Sequence, residues 1–168
     1  MNLSDNGINV LKQLEGCVKN GDRHIIYDDK TGKPLKNNQT LPRGATIGYG
    51  HLIKANEDFA AGLTENQATD LLRQDIKFAE SAVNKYIHVP ITQNQYDALV
   101  IFAFNIGANN FANSSVVKYI NNPNFTSLKY PTLKSAWAAW NRSNGQEMPG
   151  LTIRRSKELE LYYLHTAV

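Results

Sequence analysis

The sequence predicts an α+β fold in which a small antiparallel β lobe is joined to a larger helical lobe, with a cleft between them. Two kinds of segment, which differ in composition and in apolar spacing, alternate along the 168 residues and lead to this prediction. Residues from about 17 to 56 are rich in Gly, Asn, Asp and Lys and contain short runs of β-forming residues. The segments before and after them carry apolar residues at helical spacing.

Length and composition indicate one domain over residues 1–168. We expect the β lobe at about 17–56 and the helical lobe at about 57–168 together with the N-terminal helix. The longest apolar run, residues 98–104, is far shorter than the roughly 20 residues of a membrane span, so membrane insertion is not expected. The first residues lack the basic and apolar regions of a signal peptide, which predicts synthesis in the cytoplasm without one.

Charge and cysteine content exclude several classes of function. The formal net charge of +3 is too small for a nucleic-acid-binding surface, so nucleic acid is not an expected partner. The single cysteine, Cys17, excludes an internal disulfide and a cysteine-based zinc site. No motif for a metal or cofactor is present, and we expect neither. A cysteine-peptidase pair of Cys17 with His24 or His51 lacks any surrounding nucleophile motif, which favours an inert thiol.

The helices are predicted from caps and periodicity. The first begins after Ser4 or Asp5 and ends at Gly16. Strands are expected at residues 24–27 and 46–49, separated by a long polar loop. A capping box at residues 64–67 opens a helix that is expected to continue to about residue 83, and a second box at 92–95 opens a buried central helix. Further helices are predicted at 114–120, 133–140 and 151–164.

Three features could carry chemistry. Glu15 lies at the negative end of the first helix dipole, which disfavours its charged form and suits a general acid, although its position alone favours a solvated glutamate. Asp28 and Asp29 are either turn formers or the second carboxylate that glycoside hydrolysis requires. Residues 46–51 place two glycines after a strand, and Ile53 rules out a dinucleotide fingerprint, which favours a tight turn that lets a bulky substrate approach the backbone.

Taken in order, Glu15-Gly16, Tyr27-Asp28-Asp29 and Thr46-Ile47-Gly48-Tyr49-Gly50-His51 resemble the motifs of the phage-type lysozyme family, glycoside hydrolase family 24. The similarity continues in residues 102–107, 111, 114–115, 140, 149–151 and 154–158. The resemblance implies a lysozyme-like fold. It also implies a muramidase that hydrolyses the β-1,4 bond between N-acetylmuramic acid and N-acetylglucosamine in peptidoglycan, with inversion and without a metal or cofactor.

The resemblance also assigns roles to residues. Glu15 becomes the general acid, Asp29 the second catalytic carboxylate in a Tyr-x-Asp pattern, and Thr46 a residue that holds the attacking water. Asp28 stays open as the alternative to Asp29, because the chain departs from the family's usual Glu-x8-Asp-x5-Thr spacing through two polar insertions. The residues expected to bind substrate are Tyr49, His51, Phe104, Ser114 and Arg154.

The second insertion and the biological setting give further expectations. The loop at residues 30–43 carries four Lys or Arg side chains and an Asn37-Asn38-Gln39 patch, which we expect to contact glycan or an anionic wall polymer. Peptidoglycan strands are the expected partner of a monomer that acts as a phage endolysin after holin release, or as an injected or secreted lysozyme with an immunity protein. A lytic transglycosylase and a non-catalytic peptidoglycan-binding module remain as alternatives.

Overall fold

The computed structural model describes residues 1–36 and 40–165, and these contain helices together with short antiparallel strands. The helices are α1 (Asp5–Glu15), α2 (Glu65–Asp75), α3 (Lys77–Tyr86), α4 (Gln93–Ile106), α5 (Ala108–Asn113), α6 (Ser115–Asn121), α7 (Leu133–Ala138) and α8 (Pro149–Tyr162). The strands are β1 (Lys19–Asn20), β2 (Arg23–His24), β3 (Tyr27–Asp28), β4 (Ala45–Ile47), β5 (His51–Leu52), β6 (Arg142–Ser143) and β7 (Gln146–Glu147). The predicted α+β class is confirmed.

The chain forms two compact units. One unit is Asn9–Asp75, and the other combines Met1–Ile8 with Ile76–Val168. We call them the β unit and the helical unit and describe each by itself. No helix in the described ranges has both the length and the apolar character that a membrane crossing requires.

The β unit is built around the antiparallel sheet β3-β4-β5. Tyr27 lies opposite Thr46, and Ile47 lies opposite His51. The buried core of this sheet consists of Ile26, Ala45 and Ile47, against which partly buried Leu35, Leu41, Ile53, Phe59, Leu63 and Leu71 pack. The antiparallel pairing of the two predicted strands is therefore confirmed.

The predicted strand at residues 24–27 is divided in the structure. His24 belongs to the hairpin β1-β2, whereas Tyr27 belongs to the three-stranded sheet. His24 exchanges two backbone hydrogen bonds with Leu63, at 2.8 and 3.0 Å. The predicted strand at 46–49 ends at Ile47, because Gly48 adopts φ +64° and turns the backbone. The hairpin β1-β2 is thus joined through His24 to the segment that precedes α2.

The single helix expected from residue 64 onward is wrong, because α2 ends at Asp75 and α3 begins at Lys77. The capping box is present, since Thr64 accepts from the Gln67 N–H and donates its own N–H to the Gln67 side chain. The break at Ile76 coincides with the boundary of the two units. Apolar periodicity continues through this break, so the spacing alone did not reveal it.

The helical unit confirms the predicted buried central helix. In α4, residues 96–103 are all buried, and Thr92 caps the helix in a complete capping box. Helix α4 packs against α8 and α3. The hairpin β6-β7 was not predicted, although its Asn144-Gly145 turn, with φ +51° and +79°, is a strong hairpin signal in sequence.

Candidate active site

Glu15 is the last residue of α1, as predicted, and Gly16 follows it with φ +67°. The Gly16 N–H donates to the carbonyl of Lys12 at 2.9 Å, which closes the helix. The Glu15 carboxylate lies against the backbone of Gly50, because a Cβ atom built on that glycine would be 3.2 Å from Glu15 Oε2. The turn at residues 48–50 therefore forms one wall around this carboxylate.

A shared carbonyl holds the other two predicted catalytic residues. The carbonyl oxygen of Gly44 accepts from the backbone N–H of Asp29 at 3.0 Å and from Oγ1 of Thr46 at 2.9 Å. Thr46 is buried in β4, whereas Asp29 is exposed just beyond β3. Because the threonine hydrogen is used in this bond, lone pairs of Oγ1 remain available to accept from a water molecule.

The two neighbouring aspartates have different surroundings. Asp28 Oδ1 accepts from the backbone N–H of Lys30 at 2.8 Å, and the Asp28 carbonyl accepts from Gly32 at 2.7 Å. Asp28 thus forms a side-chain-stabilised turn. The carboxylate of Asp29 is exposed, and its backbone is bonded to Gly44. This geometry favours Asp29 over Asp28 as a group that can reach a substrate.

The Tyr27 phenol lies near both candidate carboxylates. Burial raises the pKa of Tyr27, and the negative charges of Asp29 and Glu15 raise it further. A backbone hydrogen bond from Gly50 acts in the opposite direction. The neutral Tyr27 phenol therefore accepts a hydrogen bond from the turn that faces Glu15. It also interacts electrostatically with the Asp29 and Glu15 carboxylates. The site residues Glu15, Asp29 and Thr46 all belong to the β unit.

Tyr49, predicted to bind substrate, is buried and donates its hydroxyl to Glu65 Oε1 at 2.6 Å. Burial raises the pKa of Tyr49, and the hydrogen bond to Glu65 adds to the increase. For Glu65, burial alone would raise the pKa, but hydrogen bonds from Tyr49, His24 and two lysines outweigh it and hold that pKa well below its usual range. This geometry gives the Tyr49 hydroxyl a role in holding the turn.

His51, also predicted to bind substrate, is held between two carboxylates. Its Nδ1 lies 2.8 Å from Asp75 Oδ2 and its Nε2 lies 3.0 Å from Glu57 Oε1, so both nitrogens are used. Burial lowers the pKa of His51, but the hydrogen bonds to Glu57 and Asp75 outweigh this effect and raise it overall. The ring also packs edge-on against Phe59. His51 therefore has a structural role in this unit.

Comparison with known proteins decides the family. The family model described as phage lysozyme matches residues 12–158. The endolysin of Salmonella phage P22 is 33% identical over 165 residues, which cover 96% of this chain and 98% of the relative. The endolysin of Bacillus phage PZA is 35% identical over 164 residues. The chain belongs to the phage lysozyme family.

Solved structures support the same assignment. The muramidase domain of SpmX from Asticaccaulis excentricus has a TM-score of 0.72 and 32% identity, with 98% of this chain and 99% of that chain covered. A lysozyme variant of phage P22 has a TM-score of 0.70 and 31% identity, with 96% and 98% covered. These similarities confirm the predicted lysozyme-like fold and agree with membership of the phage lysozyme family. The chain spans about half the length of the PZA endolysin, 55%.

Three of the substrate-binding residues that the family resemblance implied belong to the helical unit. Phe104 is half-buried and packs on Phe78, with 5.9 Å between ring centroids. Arg154 is buried, and its Nε lies 3.4 Å from Glu158 Oε1. The contact of these residues with glycan stays a prediction.

Ser114 combines a structural bond with a position on a recess. It caps α6 by accepting from the Val117 N–H, and its hydroxyl donates to the Phe111 carbonyl. It also lines a recess of about 400 Å³ whose wall includes Tyr130 and Trp140. The contact of Ser114 with glycan also stays a prediction.

The family resemblance pointed to the catalytic candidates, but several of the residues that bond the predicted site residues were missed. Gly44 bonds Asp29 and Thr46, Glu65 bonds Tyr49, and Glu57 and Asp75 bond His51. Glu65 directly follows a capping residue, where an acidic side chain needs no explanation beyond the helix dipole.

The Asn37-Asn38-Gln39 patch, which we expected to contact glycan or an anionic wall polymer, lies outside the described residues. Within the described part of the chain, no cluster of His, Cys, Asp and Glu is arranged to hold a metal ion.

Proposed function

We propose that this chain is a peptidoglycan muramidase in which Glu15, Asp29 and Thr46 carry out the reaction. Glu15 protonates the glycosidic oxygen as the general acid. The Asp29 carboxylate stabilises the positive charge that develops at the anomeric carbon, orients the attacking water and accepts the proton that this water loses as it bonds to that carbon. Thr46 holds that water through its hydroxyl. The bond cleaved is the β-1,4 linkage between N-acetylmuramic acid and N-acetylglucosamine.

The shared Gly44 carbonyl carries this assignment. It accepts from both the Asp29 backbone and the Thr46 hydroxyl, at 3.0 and 2.9 Å, so one oxygen fixes the two residues beside each other. A water molecule that donates to the Asp29 carboxylate can also donate to the free lone pairs of Thr46 Oγ1. This arrangement supports a held water as the nucleophile, which is what an inverting hydrolase needs.

Three features support Glu15 as the general acid. It is the last residue of α1, where the helix dipole disfavours a negative charge. The Gly50 backbone lies against its carboxylate, which limits access of water on that side. The Tyr27 phenol lies near it, and burial raises the pKa of that phenol so that it stays neutral. These surroundings suit a carboxyl group that donates a proton in the reaction.

The relatives suggest the setting of this reaction. Several are called endolysins, and two of them are covered almost completely by this chain, at 98% of their length. We assign the chain the same role, the hydrolysis of cell-wall peptidoglycan by a monomer during host lysis. An injected or secreted lysozyme with a dedicated inhibitor is the other setting that the same chemistry allows.

Product analysis of a Glu15→Gln variant tests the proposal. Wild-type protein should release muropeptides that end in reducing N-acetylmuramic acid, and Glu15→Gln should release none while melting at the wild-type temperature. Glu160→Gln, the same change at an exposed position of α8, should retain full activity. An active, folded Glu15→Gln protein would overturn the assignment of the acid.

The same digests separate hydrolysis from the rival chemistries. A lytic transglycosylase would give anhydro products lighter by one water, and a binding module would give no products from the wild type. Proton NMR recorded early in the reaction reports the anomeric configuration of the new reducing end. An α product indicates inversion and supports the held water, whereas a β product would indicate retention and contradict it.

A further inference from the structure

Four hydrogen-bond donors surround the carboxylate of Glu65, the first residue of α2. Lys12 Nζ and the Tyr49 hydroxyl reach Oε1 at 2.9 and 2.6 Å. Lys19 Nζ and His24 Nε2 reach Oε2 at 3.2 and 2.7 Å. We call these five residues the Glu65 cluster. Each oxygen of the carboxylate accepts two hydrogen bonds, so the capacity of the group is filled.

The donors of the Glu65 cluster come from four different segments: α1, β1, β2 and the turn that follows β4. Three of the donors, Lys12, His24 and Tyr49, also contact each other. Lys12 Nζ lies 5.3 Å from the centre of the Tyr49 ring, and the His24 ring meets the same ring edge-on at 5.0 Å. One carboxylate therefore joins the segments that surround the catalytic candidates of the β unit.

His24 contributes a buried hydrogen bond to the Glu65 cluster. Its side chain is fully buried, and its Nδ1 has no hydrogen-bond partner among the described residues. Its Nε2 lies 2.7 Å from Glu65 Oε2. The ammonium groups of Lys12 and Lys19 supply positive charge beside Glu65.

Two residues of the Glu65 cluster belong to the segments that carry and face the proposed acid Glu15. Lys12 precedes Glu15 by three residues on α1, a spacing at which opposite charges pair on a helix. Its ammonium is bonded to Glu65. Tyr49 directly precedes Gly50, whose backbone lies against the Glu15 carboxylate. Glu65 therefore acts on both the helix that carries the acid and the turn that faces it.

We propose that Glu65 is a positioning residue for the general acid, which keeps the Lys12 ammonium engaged and holds the 48–50 turn against Glu15. This inference rests on the proposed function, since it takes Glu15 to be the acid. When Glu65 loses its charge, the ammonium of Lys12 is released and pairs with the Glu15 carboxylate one turn away. A cation at that distance favours the ionised form of a carboxyl group, so the acid gives up its proton at lower pH.

Other titratable groups around Glu15 belong to different segments. Within the β unit, the Tyr27 phenol on β3 interacts electrostatically with Glu15, and the Asp29 carboxylate after β3 and the Cys17 thiol after α1 interact with that phenol. None of these groups is altered when Glu65 is replaced by glutamine, which keeps the shape of the side chain. A change in the pH profile of Glu65→Gln therefore reports the loss of the Glu65 charge and the release of the Lys12 and Lys19 ammonium groups, and Lys12→Met separates the part that is due to Lys12.

The test is the pH dependence of the hydrolysis rate, measured on purified peptidoglycan from about pH 4 to about pH 9. In Glu65→Gln the basic limb, where the general acid loses its proton, should move down by about one pH unit. The rate above that limb should then fall about tenfold, with the loss in kcat and little change in KM. The matched control is Glu147→Gln, which removes a carboxylate from an exposed ion pair and should leave the profile unchanged.

The Lys12→Met substitution, alone and combined with Glu65→Gln, tests whether the released Lys12 ammonium causes the shift of the basic limb. Added to Glu65→Gln, it should return the basic limb to within about 0.3 pH unit of the wild type, because the released cation is gone. In the wild-type background it should move the limb by no more than about 0.3 unit, since Glu65 already engages that cation. This second variant tests the proposal even if Glu65→Gln does not fold.

Three outcomes would overturn the positioning role. They are an unmoved limb in folded Glu65→Gln, a limb that stays low in the double variant, and a large shift in Lys12→Met alone. The first would mean that Glu65 serves stability only. These failures differ from a failure of the proposed function, which would appear as retained activity in Glu15→Gln.

Discussion

Gly50 lies so close to Glu15 that a Cβ atom on the glycine would be 3.2 Å from Oε2 of the glutamate. The same glycine has φ +88°, a conformation that other residues rarely adopt. Two independent constraints therefore require glycine here, one from the backbone and one from the neighbouring carboxylate. The Glu15 carboxylate can therefore occupy its position only because residue 50 has no side chain.

Gly50→Ala should reduce hydrolysis at least about tenfold, because the new methyl group displaces the Glu15 carboxylate. The left-handed backbone should also cost about 1 kcal/mol of stability. Gly145→Ala separates the two effects, since Gly145 has φ +79° and nothing within 4 Å of its added Cβ. Thermal melting and specific activity should show two destabilised proteins, only one of them impaired. Equal specific activities would show that the contact with Glu15 has no catalytic consequence.

The paired aspartates give a second prediction. Asp29→Asn should reduce kcat by about a hundredfold or more, because an amide cannot stabilise positive charge at the anomeric carbon as a carboxylate does. Asp28→Asn should cost little, since the amide oxygen can still accept from the Lys30 N–H that holds the turn. Rates on purified peptidoglycan and melting temperatures of both variants decide the question. If Asp28→Asn were the inactive one, the catalytic position would move by one residue.

Thr46→Val tests the held water. Valine keeps the shape of the buried side chain but removes Oγ1, so hydrolysis should fall by about a hundredfold. Stability should change by only about 1 kcal/mol, because the Gly44 carbonyl still accepts from Asp29. Thr152→Val is the control, since its hydroxyl also donates to a backbone carbonyl, that of Met148 at 3.3 Å, but in α8. Full activity in Thr46→Val would exclude a role for the hydroxyl.

The surroundings of His51 predict that the free energy of unfolding depends on pH. The pKa of His51 is raised in the folded protein above its ordinary 6.5, so its contribution is complete below that pH and is lost as pH rises through the folded pKa. The pKa of its partner Glu57 is lowered from 4.5, so that contribution is present above 4.5 and is lost as pH falls. The two contributions are complete together between about pH 4.5 and 6.5.

Replacement of His51 by glutamine should therefore lower the free energy of unfolding most within that window, by about 1 to 3 kcal/mol, and less near pH 9. Urea unfolding at several pH values measures this difference. His88→Gln is the control, because the His88 ring bonds to the Lys85 carbonyl. A deficit of the His51→Gln variant that stays constant across pH would show that the two carboxylates do not act through charge.

Much of the fold could be predicted from local sequence. The capping box at Thr92 and the all-round apolar segment after it located α4, and Gly16 located the end of α1. Errors arose where periodicity continued through a change of structure. At Ile76 the apolar spacing continues, while the helix breaks and the chain passes from one compact unit to the other.

The sequence alone determined which residues are candidates for chemistry. Glu15 at a helix end, the Asp28-Asp29 pair and the run from Thr46 to His51 were identified from their types and order. Helix dipoles and turn preferences act over a few residues, and they are therefore readable along the chain.

Only the tertiary structure decided how these candidates are arranged. It joined Asp29 and Thr46 through the Gly44 carbonyl, held the Asp28 side chain in a turn, and surrounded Glu65 with four donors from separate segments. It also gave the Tyr49 and His51 side chains protein partners. Such hydrogen bonds connect residues up to 53 positions apart, as for Lys12 and Glu65. The number of residues between two positions does not give their distance in space. Only folding therefore determines which carboxylate reaches substrate and which one holds the site.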